Sequence, residues 1–86
     1  MSEHLHFTEE QMEQASKVDL EALLVSMGER LLPSGRDKRL ARDHSITIRG
    51  SEWYDHAISR GGNSISFMEY HFGLSFQDAM RYLLGM

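Results

Sequence analysis

The sequence predicts an α+β domain in which a small antiparallel sheet of three or four strands, over about residues 31–56, packs with two helices before it and two after it. Three observations carry this. Apolar residues recur at helical spacing on both flanks, the middle switches to short alternating runs around glycine turns, and Gly61-Gly62-Asn63 marks the return to helix. The 86 residues make one domain, which buries roughly 60–65% of its unfolded surface. Residues 1–15 read as a leader with a short helix, and residues 16–86 as the folded unit.

In chain order, His4 and His6 alternate with Leu5 and Phe7 in a leader that reads as a solvated terminus. Thr8 and Gln11 form a capping box for a short acidic helix, with Phe7 and Met12 at the positions of a hydrophobic staple. Asp19 is the N-cap of a second helix, with Val18 placed to staple onto Leu23. Its stripe is Leu20, Leu23, Leu24 and Met27, and Gly28 stops it. The stripe reads as core, with docking of a partner helix as the alternative.

Leu31-Leu32-Pro33 reads as an edge strand ending in a Ser34-Gly35 turn, followed by a basic strand over residues 36–42. Residues 45–49 and 52–56 flank Gly50-Ser51, the glycine-first pattern of a type II′ hairpin. Pairing across that turn sets Ile48 opposite Trp53 and Ile46 opposite Asp55 on one face. Thr47, Tyr54, Arg49 and Glu52 take the other, with Arg49 and Glu52 as a cross-strand ion pair. Trp53 is expected to close the core against the leucine helix, which leaves Tyr54 for exposed chemistry.

The glycine pair Gly61-Gly62 allows a sharp turn and a close approach, and Asn63 can cap the following helix. Arg60 beside that helix start is consistent with a phosphate site or with an ordinary strand-to-helix turn. Ile65, Met68 and Phe72, flanked by Phe67, form the stripe of the third helix, which Gly73 ends. Ser75 opens the fourth, whose buried face is Phe76, Ala79, Met80 and Leu83.

Charge is unevenly distributed around the net value of −4. Residues 1–29 hold seven acids against the single Lys17, whereas residues 30–60 hold seven bases against four acids. Such a basic middle is either a phosphate-facing surface or a solvated face paired with the acidic helices. The chain contains no cysteine, which excludes disulfides and every cysteine-based zinc site. No apolar run approaches the ~18 residues of a membrane span and no secretory leader opens the chain, so the expectation is a cytoplasmic protein without membrane contact.

The order Val18-Asp19-Leu20, Gly28, Ser34-Gly35, a strand pair, Gly61-Gly62-Asn63-Ser64-Ile65-Ser66-Phe67 and Gly73-Leu74-Ser75-Phe76-Gln77-Asp78-Ala79 resembles the N-terminal zinc-finger domain of bacterial DNA primases. It is more similar still to the zinc-less relatives that precede a Toprim-type domain in primase-like proteins of mobile elements. The resemblance covers roughly residues 16–85 and implies a degenerate zinc-ribbon-like domain. In that family zinc is held by a Cys-x-x-His pair and a Cys-x-x-Cys pair. Those positions fall here on Ala41 with His44 and on Asp55 with Ile58, so of the ligands only His44 is retained. One histidine and one aspartate do not make a closed structural zinc site, and neither metal nor another cofactor is expected.

The family's module engages single-stranded template, while the chemistry lies in a separate catalytic domain. The resemblance therefore implies a non-catalytic module that contacts single-stranded DNA in a replication or mobilisation protein. The phosphate-contacting residues would be Arg36, Lys38, Arg39, Arg42, Arg49 and Arg60, with Tyr54 available for stacking. Strand alternation would put Arg36, Lys38 and Arg42 on one face and Arg39 on the other. The alternative is a packing or interaction module that positions a downstream catalytic domain or a replication protein without touching DNA. Catalysis by the chain itself is not expected. Its local acid–histidine pairs, Asp43 with His44 and Asp55 with His56, are strand neighbours that point apart.

Overall fold

A computed structural model describes residues 6–86, so the expectation for His4 and Leu5 lies outside the described residues. Thr8 and Gln11 form the capping box, with Thr8 Oγ1 accepting from the Gln11 amide at 3.0 Å and Gln11 Oε1 from the Thr8 amide at 2.9 Å. Helix α1 (Glu9–Ser16) follows, and Phe7 and Met12 both pack against the core. Asp19 caps α2 (Leu20–Ser26), which ends before Gly28 at φ +88°, a left-handed position that favours glycine. Of the expected stripe, Leu20 and Leu24 are fully buried, whereas Met27 is the C-cap and stays 37% exposed. The helix stops too early for Met27 to turn inward.

Five strands follow: β1 (Leu31–Ser34), β2 (Asp37–Leu40), β3 (Ile46–Arg49), β4 (Glu52–Asp55) and β5 (Arg60–Gly62). They pair antiparallel in chain order, forming a meander. The expected hairpin register is present throughout, from Ile46 opposite Asp55 to Arg49 opposite Glu52. Both tight turns are glycine-first, with φ positive at Gly35 and Gly50 but not at Arg36 or Ser51, the type II′ signature. The turn between β1 and β2 is therefore Gly35-Arg36 rather than Ser34-Gly35, which removes Arg36 from the basic strand and starts β2 at Asp37.

The sheet also has more strands than the three or four expected, and it runs to Gly62 instead of residue 56. The physical reason lies in residues 56–59. Asp55 Oδ1 accepts the Ala57 amide at 2.9 Å and Ser59 adopts φ +53°, so the reversal is complete before the glycines. Gly61 and Gly62 then lie extended in an edge strand, opposite Tyr54 and Trp53. They serve close approach, not the turn itself. A Cβ on Gly61 would collide with the Trp53 carbonyl oxygen, and one on Gly62 with Ser66 Oγ.

Asn63 caps α3 (Ser64–Phe72) in a capping box with Ser66, Gly73 ends it at φ +69°, and Ser75 caps α4 (Phe76–Leu84). Helix α2 lies over β3, and α3 over β4 and β5, on one face of the sheet; α1 and α4 pack against α3 behind it. The core between the layers comprises Leu20, Leu24, Leu40, Ile46, Ile48, Phe67, Met68 and Met80, each essentially inaccessible. Phe67, expected to flank the stripe of α3, is at its centre. Trp53 closes the core against α3 instead of the leucine helix, edge-on to Phe67 at 5.7 Å and stacked on Tyr70 at 5.0 Å. In α4, Ala79 and Met80 are buried, while Phe76 remains partly exposed with its ring edge-on to Phe7.

Candidate functional site

Among the described residues, α2 and α3 cover one face of the sheet, and strand alternation turns a second set of side chains to the opposite face. The register places Leu32, Arg39, Thr47, Tyr54 and Gly61 in one rung across all five strands of that face. Ser34, Asp37, Arg49 and Glu52 form the next rung. Tyr54, 41% exposed, lies on β4, one strand in from the β5 edge of this face. Its ring meets His56 edge-on at 4.8 Å. It also lies so close to Gly61 that a Cβ there would come within 2.8 Å of Tyr54 Cδ1. His56 Nε2 and Thr47 Oγ1 are 3.2 Å apart, which fixes the imidazole beside the phenol. On the far side of Tyr54 is a shallow depression of about 230 Å³ lined by Asp37, Thr47, Arg49, Glu52, Trp53 and Tyr54.

The six basic candidates do not converge there. Arg49 does, but its Nε bonds Asp37 Oδ1 at 2.6 Å, which corrects the expected pairing with Glu52. Extending the Lys38–Ile48 register by one residue brings Asp37 opposite Arg49, so the acid of β2 reaches it. Arg39 shares the open face, and its guanidinium donates to the His44 carbonyl at 2.8 Å and to Ser34 Oγ at 3.1 Å. Lys38 is on the helix-covered face, 3.9 Å from Glu21 of α2, and Arg42 follows β2 and pairs with Glu29 at 3.3 Å. Arg36 is exposed in the β1–β2 turn, which corrects the expected common face of Arg36, Lys38 and Arg42. Arg60 sits over the Tyr70 ring at 5.4 Å.

The four positions that the resemblance sets against zinc ligands carry side chains with other surroundings. Ala41 donates its amide to the Arg30 carbonyl, His44 is exposed, and Ile58 is 50% exposed. Asp55 is buried and both carboxylate oxygens are engaged, Oδ1 by the Ala57 amide and Oδ2 by the Tyr70 hydroxyl at 2.8 Å. Among the described residues no cluster of three or more metal-ligating side chains occurs.

Sequence reasoning did not single out Tyr70, Ser66 or the bond between Thr47 and His56. Trp53 Nε1 donates to Ser66 Oγ at 3.0 Å, and Ser66 Oγ also accepts the Asn63 amide. One hydroxyl thus joins the strand, the glycine step and the helix cap. The available signal for Tyr70 was its position three residues after Phe67, on the same side of α3.

The hydrogen bond to Asp55 raises the Tyr70 phenol above the ordinary tyrosine value; burial and the Asp55 charge add to this, and Arg60 opposes it. The bond requires the neutral phenol. Its contribution to stability is therefore complete below the unfolded tyrosine pKa of about 10 and is lost as pH rises through the higher folded value. An alkaline titration followed by tyrosinate absorbance is expected to contain a late component that Tyr70→Phe removes. If the late component survives that substitution, Tyr70 is not its source.

The fold and this face define a class: a small α+β domain with a meander sheet whose one face is covered by helices and whose other face is open. Beyond that class, comparison with known proteins returned no matching family model, no matching curated protein and no matching solved structure. No helix among the described residues is long and apolar enough to cross a membrane.

Proposed function

We propose that the domain is a non-catalytic, single-stranded DNA-binding module of a primase-like replication or mobilisation protein. The observation that carries this reading is Tyr54, exposed on the open sheet face with Arg49 and Arg39 on the same surface. Single strands are held by aromatic rings that stack bases and by cations that follow the phosphates, and a sheet face supplies both without deep pockets. The primase resemblance adds the template strand as the ligand. Arg36, exposed in the turn that precedes β2, extends the cationic track.

A packing or interaction module is the second reading. It is favoured by the internal pairing of Lys38, Arg42 and Arg49 with Glu21, Glu29 and Asp37, which reduces the charge offered to phosphates.

Titration of a labelled single-stranded oligonucleotide at low salt separates them. Binding is expected to weaken steeply with salt as releasing counterions into a more concentrated solution becomes less favourable, and Tyr54→Ala is expected to cost roughly tenfold, the scale of one stacked base. Absence of binding at low salt, or binding indifferent to both Tyr54→Ala and Arg49→Ala, overturns the DNA reading.

A further inference from the structure

We infer that the depression beside Tyr54 takes a single unpaired guanine base, read by the Glu52 carboxylate. This inference rests on the single-strand reading and names the base that the site prefers.

Glu52 is the exposed acid next to Tyr54 on β4, and no ion pair engages it among the described residues. The arginine directly opposite, Arg49, directs its Nε to Asp37 instead. The pairing of Arg49 with Asp37 thus has a chemical consequence: it leaves in the lining of the depression a carboxylate with acceptor capacity and, among the described residues, no ion pair. A bare carboxylate is a poor feature for a general phosphate track, which it would repel. It suits a ligand that presents hydrogen-bond donors.

Among the bases, guanine alone presents two adjacent donors on its Watson–Crick edge, N1–H and the N2 amino group, which match the two oxygens of one carboxylate. Adenine and cytosine present a single amino group there, and thymine one N–H between two carbonyl acceptors that a carboxylate repels. The remaining lining fits the same ligand. Tyr54 offers a ring for stacking, held in place by His56 and by contact with Gly61. Arg49, whose Nε bonds Asp37, also lines the depression and leaves its terminal amino groups for the guanine O6 acceptor. An unpaired base is required, because this edge is occupied in a duplex.

The test uses four oligothymidylates, each with one central position occupied by guanine, adenine, cytosine or thymine, titrated against the domain and its Glu52→Gln and Tyr54→Ala variants. The guanine-bearing strand is expected to bind roughly tenfold more tightly than the all-thymine strand, the scale of one bidentate base contact. Glu52→Gln is expected to abolish that preference while all-thymine binding persists or rises, because a like charge has been removed. Equal affinity for the four strands, or a guanine preference unchanged in Glu52→Gln, overturns the guanine assignment and leaves the DNA reading standing. Failure of all four strands to bind at low salt overturns both. Thermal unfolding of each variant confirms that a lost preference is not a lost fold.

Discussion

Trp53→Ala is expected to destabilise the domain by about 3–5 kcal/mol, the range for removing a large aromatic from a packed core. For a small domain that is a large part of the total. The indole is 4% exposed and joins β4 to α3 through two rings: it packs edge-on to Phe67 and stacks on Tyr70 at an interplanar angle of 16°. Each aromatic pair adds about 0.5–1.5 kcal/mol beyond its buried area. Its N–H also bonds Ser66 Oγ at 3.0 Å, so truncation removes a donor from the hydroxyl that organises the cap of α3. Urea unfolding followed by circular dichroism measures the effect, since the chain has one tryptophan and the variant loses the intrinsic fluorescence probe. Trp53→Phe keeps an aromatic ring and is expected to cost less. A loss below about 1 kcal/mol for Trp53→Ala would mean that the indole does not close the core.

The second large effect falls on a residue with no side chain. Gly61→Ala is expected to cost about 1–3 kcal/mol, the range for forcing atoms into occupied space. The added methyl would meet the Trp53 carbonyl oxygen, a backbone atom that moves only if β5 separates from β4. It would also press on the Tyr54 ring, so the open face changes together with the stability. Gly62→Ala is milder in one respect, because the atom it meets is the Ser66 hydroxyl, the end of a short side chain. Rotating that hydroxyl away, however, leaves the indole N–H and the Asn63 amide without their partner. Melting temperatures of the two variants measure these costs. A neutral Gly61→Ala would show that the edge strand yields freely and that the extended pairing of β5 is not a fixed feature.

Much of the fold was legible because its signals are local. Capping boxes, glycine stops and a two-residue hairpin act over three or four residues, and Thr8 with Gln11, Asp19, Gly50 and Asn63 all fall where those rules place them. The strand β5 was not legible, because Arg60-Gly61-Gly62 has neither apolar alternation nor β-branched residues; it is a strand only because Trp53 and Tyr54 offer it an edge. The face of Trp53 was correctly placed and its partner was not, since alternation gives the side of a sheet but not which helix lies on it.

The candidate site divides along the same line. Tyr54 was expected on the face opposite Trp53 and is there. The basic residues were grouped by charge and by strand position, but their pairing is decided by acids distant in sequence. Glu21 meets Lys38, Glu29 meets Arg42, and Asp37 crosses one strand gap to take Arg49 from Glu52. No pattern in the sequence encodes those meetings before the strands are laid side by side.

The meander has a consequence for the order in which the chain can be assembled. Every strand pairs with its immediate neighbour in sequence, so the sheet grows by closing short loops, each with a small entropic barrier. The hairpin around Gly50 is also where distant segments are fastened: Leu20 donates its amide to the Gly50 carbonyl, and Ser64 Oγ, bonded to the Val18 carbonyl 46 positions away, lies 3.4 Å from the Ser51 carbonyl oxygen. The turn thus acts as a keystone. Once it exists, the starts of both helices, already joined by the Ser64–Val18 bond, are indexed to the same few atoms.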